Sequence, residues 1–374
     1  MSGGAPILAP QLPMSPAMSD PLAPGAVIGI LGGGQLGRML SVAASRLGLR
    51  THIFEPSDAP PAADVAYAAT AAPYEDSDAL KRFAEAVDVI TYEFENIPTS
   101  ALDTLEKIRP IRPGREALRV SQDRLTEKDF LSELGLKTAP YATVDRFEDL
   151  EQAVQAIGDP AILKTRRFGY DGKGQARIMA KQDIKQAFDD MAGQPAILEG
   201  FVDFSHEVSV IGARSAAGDV ACFDPGENVH RNGILHSTTV PAKLSAGQRM
   251  DAVLLTAKIL NTLDYVGVMG VELFVTNGGL VVNEIAPRVH NSGHWTQNGC
   301  AVDQFEQHIR AVAGWPLGDG TRHSDVVMEN LIGEDVLRAE KLAKEPHTAL
   351  HLYGKTDVKP GRKMGHANRV KTPT

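Results

Sequence analysis

Cysteine occurs only twice in 374 residues, at Cys222 and Cys300, which excludes a disulfide-stapled scaffold and fits a reducing compartment. Positive charge is in the minority: 38 Lys and Arg stand against 47 Asp and Glu, a formal net charge of −9. That balance argues against a general binder of nucleic acid or anionic membrane, and says nothing against a local basic pocket. No uncharged apolar run is long and clean enough to span a bilayer. No Lys or Arg precedes Arg38, so the basic start of a secretory signal and the arginines of a mitochondrial presequence are both missing. These absences point to the cytoplasm. With 43% hydrophobic and 23% charged residues, the composition is that of a soluble globular protein, long enough for two or three domains of about 100–200 residues.

Six prolines (Pro6, Pro10, Pro13, Pro16, Pro21, Pro24) crowd residues 1–25. Proline at that density prevents a helix and removes strand donors, so a disordered extension outside the fold is expected there. From residue 26 strands and helices alternate: apolar runs at 27–31, 50–54 and 88–92 read as strands, and 35–47 and 79–87 have helical spacing. Such alternation predicts a parallel sheet with crossover helices, ending near residue 118. A different unit follows, with strands at 161–164, 177–179, 196–199 and 207–211 and helices at 183–191 and 251–263. A hairpin at 269–276 and 280–285 turns about Asn277-Gly278-Gly279. From about 315 short strands and turns remain.

Four groups of residues carry chemistry. Gly32, Gly34 and Gly37 satisfy G-x-G-x-x-G between a strand and a helix, and Glu55 ends the next strand. Read alone, this predicts a dinucleotide enzyme with Glu55 on a ribose. The motif is weak, since its physics is only a tight turn and a helix N-terminus facing an anion. The second glycine stretch, Gly169, Tyr170, Asp171, Gly172, Lys173, Gly174 and Gln175, lies between two strands. It has backbone N–H groups free to approach phosphate and one lysine to add charge, without being a P-loop. On the preceding strand Lys164 sits among apolar residues, where an unpaired ammonium is costly. Glu272 and Glu284 each interrupt an apolar strand of the hairpin. A three-residue loop opposes them directly; a two-residue loop opposes Glu272 to Asn283 instead. Either way oxygen ligands converge, and two close carboxylates call for a hard cation such as Mg²⁺. After the hairpin comes the polar run Arg288, Val289, His290, Asn291, in which Arg288 and Asn291 suit an anion.

Taken in order, seven stretches resemble one family. They are Gly32-Gly33-Gly34-Gln35-Leu36-Gly37-Arg38, Thr91-Tyr92-Glu93-Phe94-Glu95-Asn96-Ile97, Gln122-Asp123-Arg124, the glycine stretch from Gly169 to Gln175, Asn283 to Arg288 running on to His294-Trp295-Thr296, Gln304 to Arg310, and His351-Leu352-Tyr353-Gly354-Lys355. The chain resembles the ATP-grasp superfamily, and within it the 5-(carboxyamino)imidazole ribonucleotide synthases of purine biosynthesis, over roughly residues 26–370. The resemblance implies an α/β and α+β chain: a Rossmann-like parallel-sheet domain (26–118), an ATP-grasp domain (119–314, lid subdomain about 125–198) clasping ATP, and a β-rich C-terminal segment (315–374). The implied reaction joins bicarbonate to the exocyclic amine of 5-aminoimidazole ribonucleotide, with ATP becoming ADP and phosphate through carboxyphosphate.

Residue by residue, the resemblance puts Arg124 and Lys164 on ATP phosphates and the Gly169–Gln175 stretch over them as a lid. The backbone of Glu199, Gly200, Phe201 and Val202 would read adenine, with Glu207 on the ribose and His230 nearby. Glu272 and Glu284 would hold Mg²⁺, with Asn283 beside them. Arg288, His290 and Asn291 would hold bicarbonate and departing phosphate, and Tyr170, Asp171 and Lys173 join this catalytic set. Lys355 and Arg362 would meet the ribonucleotide phosphate, with Gln35, Leu36 and Glu93 or Glu95 near the imidazole. A homodimer is also implied. On this reading the first glycine motif serves the ribonucleotide rather than a dinucleotide. One position departs from the family: Phe168 stands where a second glycine is common, stiffening the lid. Three rival readings remain: another ATP-grasp ligase acting on a purine precursor, an NAD-dependent oxidoreductase resting on the first glycine motif, and a non-catalytic nucleotide binder resting on Phe168.

Overall fold

The computed structural model describes residues 20–169 and 173–371. Order starts before residue 26. Leu22 N–H donates to the Ala313 carbonyl at 2.9 Å, Gly25 N–H to Gly48 at 2.7 Å, and the Trp315 indole donates to the Leu22 carbonyl at 2.7 Å. The stretch 20–25 therefore belongs to the fold, because its backbone groups find partners and Leu22 packs on the core. The rest of the expected extension lies outside the described residues.

The first sheet contains β1 (Val27–Leu31), β2 (Arg50–Glu55), β3 (Ala68–Ala71) and β4 (Val89–Tyr92), all parallel, in the order β3-β2-β1-β4. Parallel neighbours need crossover connections, and the helices Gln35–Arg46 and Ser77–Glu85 supply two of them. Gly48 takes φ +72° just past the first helix, the left-handed conformation that ends a helix without steric cost. The edge strand β3, alternately exposed, was not anticipated from the sequence.

A small antiparallel sheet contains β5 (Tyr141–Val144), β6 (Ala161–Thr165), β7 (Gln175–Ile178) and β8 (Ala196–Gly200), in the order β5-β8-β6-β7. It has its own core, made with the helices Phe147–Ile157 and Ile184–Asp190.

The third sheet has nine antiparallel strands: β9 (His206–Arg214), β10 (Val220–Cys222), β11 (Gly226–Arg231), β12 (Ile234–Val240), β13 (Gly267–Thr276), β14 (Gly279–Ala286), β15 (Asp325–Ile332), β16 (Thr348–Leu352) and β17 (Lys363–Lys371). Their order is β14-β13-β9-β11-β12-β15-β17-β16, with β10 on β9. The C-terminal strands thus extend the central sheet, because β15 pairs with β12. One core cluster runs from Ile28 and Leu40 of the first unit through Ile309 to Val326 and Met328. Burying each such side chain contributes about 1.5–3 kcal/mol, so the two units are locked together, and the site lies at their junction. Among the described residues no helix is long and apolar enough to cross a membrane.

The hairpin has the two-residue turn Asn277-Gly278, since Thr276 pairs with Gly279. That turn alone would set Glu272 against Asn283. A β-bulge intervenes: Leu273 pairs with Val282, but Glu272 pairs with Glu284, leaving Asn283 as the extra residue. The carboxylates are opposed as a three-residue loop would oppose them, but by a two-residue turn and a bulge together.

Candidate active site

A cavity of about 1010 Å³ opens between the small sheet, the large sheet and the first sheet. Most of the expected residues line it: Arg124, Lys164, Gly169, Lys173 and Gln175 from the lid side, Phe201, Glu207, His230, Glu272, Asn283 and Glu284 from the nucleotide side, and Arg288, His290, Asn291, Glu93, Glu95, Gln35 and Leu36 at the far end. A second cleft of about 450 Å³ holds Lys355 and Arg362 and shares Gln35, Glu93 and Phe94 with the first. Tyr170, Asp171 and Gly172 lie outside the described residues.

The motif Gln122-Asp123-Arg124 explains itself at a helix start. Asp123 caps Arg124–Glu133 through the N–H groups of Leu125 and Thr126, and also takes the Arg166 guanidinium at 2.7 Å. Gln122 donates to the Glu95 and Ile97 carbonyls. Arg124 is thereby aimed across the cavity, 3.2 Å from Glu284 and 3.3 Å from the Gly169 carbonyl of the lid. Phe168, at φ +62° and exposed, adopts the conformation a glycine would take without cost.

Lys164 donates to Glu199 at 2.8 Å, and the nearly enclosed ammonium is balanced by that carboxylate. Glu199 is therefore a side-chain partner within the protein. Its neighbours' N–H groups are also committed, Gly200 to the Pro140 carbonyl and Phe201 to the Pro160 carbonyl. The expectation that all four residues 199–202 read a base through their backbone narrows accordingly, to carbonyls and the Val202 N–H.

The first glycine motif is already filled by the protein's own carboxylates. Glu93, buried, accepts from the N–H groups of Gly34 and Gly37, the latter at 2.5 Å. Glu55 accepts from Gly33 N–H at 2.9 Å. A methyl group on Gly34 would lie 2.7 Å from Glu93 Oε1, so glycine is required by close approach. Three of the donors that a pyrophosphate would use there, the N–H groups of Gly33, Gly34 and Gly37, are already taken, and Glu55 is engaged with one of them. That removes the basis of the dinucleotide reading. The motif also borders the second cleft, where Gly33, Gly34 and Gln35 line it with Lys355 and Arg362.

Charge is arranged unequally over the carboxylates. Enclosure, then Glu284, pushes the Glu272 carboxyl up to about 7. Enclosure also opposes ionisation of Glu284, but Arg124, Lys164 and Lys128 hold it below the usual carboxylate range. Glu95 behaves likewise, its desolvation outweighed by Arg288, which binds it at 2.8 Å. That ion pair takes the Arg288 Nε and one terminal nitrogen, the other reaching the Val289 carbonyl, and both side chains line the cavity. Glu207 Oε2 lies 2.9 Å from His230 Nδ1, and Glu207, His230 and Glu272 offer ligand atoms within 4.8 Å of one another.

His290 is held from both sides. Burial, then Arg288, drops its pKa to about 3, so the ring is neutral. Thr238 donates to Asn228, Asn228 to Ser209 at 3.0 Å, Ser209 to Ser292 at 2.6 Å, and Ser292 Oγ lies 2.8 Å from His290 Nδ1. With Nδ1 accepting, Nε2 carries the proton and points at Glu272, 3.5 Å away. Gln304 holds the His290 backbone, accepting from its N–H and donating to its carbonyl. Asn291 presents both amide atoms buried and without a partner among the described residues; such atoms are costly unless a ligand meets them. Sequence reasoning missed Glu127 and Lys128, buried one turn along the helix from Arg124, and the supporting roles of Ser209, Asn228 and Gln304. The i, i+3, i+4 spacing of Arg124, Glu127 and Lys128 was the available signal.

Comparison with known proteins gives three family models in this order: a ribonucleotide synthetase preATP-grasp domain over residues 26–122, an ATP-grasp domain over 129–305, and a phosphoribosylaminoimidazole carboxylase C-terminal domain over 326–373. The chain is 54% identical over 356 residues to the N5-carboxyaminoimidazole ribonucleotide synthase of Brucella melitensis, covering 94% of this chain and 98% of the relative. The chain belongs to the N5-carboxyaminoimidazole ribonucleotide synthase family, a family of ATP-grasp ligases. An ADP complex of such a synthetase superposes with TM-score 0.92 at 40% identity, covering 95% and 94% of the two chains. The Aspergillus clavatus synthase in complex with ADP and 5-aminoimidazole ribonucleotide superposes with TM-score 0.87 at 29% identity, covering 93% and 94%. The fold is therefore ATP-grasp with a preATP-grasp parallel sheet and the C-terminal domain of this family.

Proposed function

We propose that the protein carboxylates the exocyclic amine of 5-aminoimidazole ribonucleotide, using ATP and bicarbonate and releasing ADP and phosphate. The observation that carries this reading is the meeting of two clefts: a nucleotide-sized cavity and a phosphate-ready cleft share Gln35, Glu93 and Phe94. A bicarbonate oxygen attacks the γ-phosphorus and the bond to the β-phosphate oxygen breaks. Carboxyphosphate loses phosphate to give CO₂, and the amine adds to that carbon while its proton passes to the released phosphate. Such transfers rest on positioning and charge neutralisation more than on covalent help.

The residues divide that work. Arg124, Lys164 and Lys173 gather the phosphates, Glu207 and His230 take the ribose side, and the Gly169–Gln175 lid excludes water. The unpartnered Asn291 amide, one donor and one acceptor, matches bicarbonate, which is also both; the neutral His290 keeps its Nε2 proton beside it. Lys355 and Arg362 face the ribonucleotide phosphate. A divalent ion fits the opposed Glu272 and Glu284, because a pair in which one carboxyl must be pushed up to about 7 is short of positive charge. Mg²⁺ held there with Asn283 supplies charge neutralisation for the phosphates. The free thiols Cys222 and Cys300 fit a cytoplasmic enzyme, and a homodimer is the assembly expected of the family, checked by light scattering.

The test is ADP release measured with each substrate omitted in turn. Turnover should require bicarbonate, 5-aminoimidazole ribonucleotide and Mg²⁺ together. ATP consumption indifferent to the ribonucleotide, or ATP binding without any turnover, overturns the reading.

A further inference from the structure

β14 is the outer strand of the large sheet, and an outer strand should leave a row of backbone groups unpaired. Here that row is occupied by the segment containing the helix Arg124–Glu133. Val282 N–H donates to the Lys137 carbonyl at 2.7 Å. The Asn283 carbonyl accepts from Lys128 Nζ at 2.7 Å, and Ile285 N–H donates to Glu127 Oε1 at 2.5 Å. Two neighbouring helical side chains thus take the place of a missing strand.

The numbering of these contacts is informative. In a regular strand the outward-facing N–H and C=O belong to every second residue. Here the phase changes, from 282 to 283 and 285, at the bulge where Asn283 is the extra residue. Without the bulge, Glu272 would oppose Asn283, and Glu284 would turn to the other face of the sheet, since a one-residue slip reverses every side chain. On β14, Glu127 and Lys128 contact only the shifted phase, while Lys128 also lies 3.8 Å from Glu199.

We propose that Glu127 and Lys128 are positioning residues that clamp β14 in its bulged register and so keep Glu284 opposite Glu272. The two residues are 3% and 2% exposed, so they act largely from within the protein; Glu127 also edges the cavity, where its Oε1 is held by the Ile285 N–H. Losing the Glu127 acceptor leaves the Ile285 N–H unsatisfied and removes the preference for the shifted phase. The consequence falls on metal-dependent nucleotide binding, not on the nucleotide alone. The clamp rests on the reading of Glu272 and Glu284 as the metal pair for its functional consequence, and on geometry for its existence.

The test has two arms. Amide hydrogen exchange on the wild-type protein should find Ile285 strongly protected without nucleotide; exchange at the rate of an exposed edge amide overturns the clamp without any variant. ADP affinity is then measured by calorimetry with Mg²⁺ and with EDTA, alongside a thermal melt. In Glu127→Met the metal-free affinity should stay within about threefold of wild type, while the enhancement by Mg²⁺ falls on the order of tenfold. Glu127→Gln, which keeps the acceptor, should retain the enhancement, and Lys128→Met should lose it. Folded Glu127→Met with full Mg²⁺ enhancement overturns the proposal. Wild-type protein showing no enhancement by Mg²⁺ overturns the metal reading instead, and leaves the clamp to the exchange result. If Glu127→Met fails to fold, Lys128→Met and the wild-type exchange decide.

Discussion

Glu272 and Glu284 face one another across β13 and β14, and only one of them is held firmly ionised. Glu284→Gln keeps the shape and a hydrogen-bond acceptor for Arg124 but removes the charge. The expected result is a loss in kcat on the order of 100-fold or more, with a melting temperature equal to wild type or lower, because the attraction of Arg124, Lys164 and Lys128 for the charge is lost. Near-normal turnover would take the pair out of the chemistry.

Lys355 titrates in an accessible range. Burial, then Arg362, lowers its pKa to about 8, whereas the ribonucleotide phosphate is a dianion well below that pH. As pH rises through about 8 the free enzyme loses the ammonium, so kcat/KM for the ribonucleotide should fall while that for ATP holds. Lys355→Arg, charged throughout, should remove the decline. Parallel falls for both substrates would argue against Lys355 as the phosphate ligand.

Ser209 does not touch the cavity, yet it stands in the chain that sets the His290 tautomer. Ser209→Ala should lower kcat on the order of 10-fold, the cost of about one hydrogen bond in the chain that ends on His290, with the KM for ATP unchanged. A rise in KM alone would mean that Ser209 serves packing.

Three histidines form a neutral stack beneath the site. His294 and His351 each lie 4.6 Å from His366, ring to ring, and burial lowers the pKa of all three. Folded protein refuses the proton that unfolded chain accepts below about pH 6.5. Stability is therefore full above that pH and declines below it, by up to about 1.4 kcal/mol per pH unit for each histidine. Urea midpoints between pH 7.5 and 5 should show the decline, and His351→Asn should flatten it. An unaltered slope would mean that the stack is not its source.

Local pattern made much of this protein legible. Val27 to Leu31, followed by glycines and an apolar helical stripe, could only be a buried strand and its crossover helix. Lys164, Glu272, Glu284 and Asn291 stood out because charged or polar groups interrupt apolar runs, or cluster just after one, whereas Arg124 entered only through the family resemblance. Resemblance to a family then ordered them into one site. Less legible were contacts between distant residues. Glu93 fills the glycine motif 59 positions earlier, and the motif itself has no feature that distinguishes a carboxylate of the chain from the phosphate of a ligand. Gln304 and His308 stood only in a stretch that resembles the family, with no role assigned, although one supports the His290 backbone and the other joins Thr91 to Val268.

By itself, then, the sequence determined the elements and the chemistry they carry: periodicity, turn residues and the cost of an unpaired charge are properties of neighbours along the chain. It left open whether Glu272 would meet Asn283 or Glu284, since the turn and the bulge pull the register in opposite directions. Only the tertiary structure decided that, because the choice depends on backbone groups at the edge of β14 finding partners in Glu127 and Lys128, more than 150 residues away.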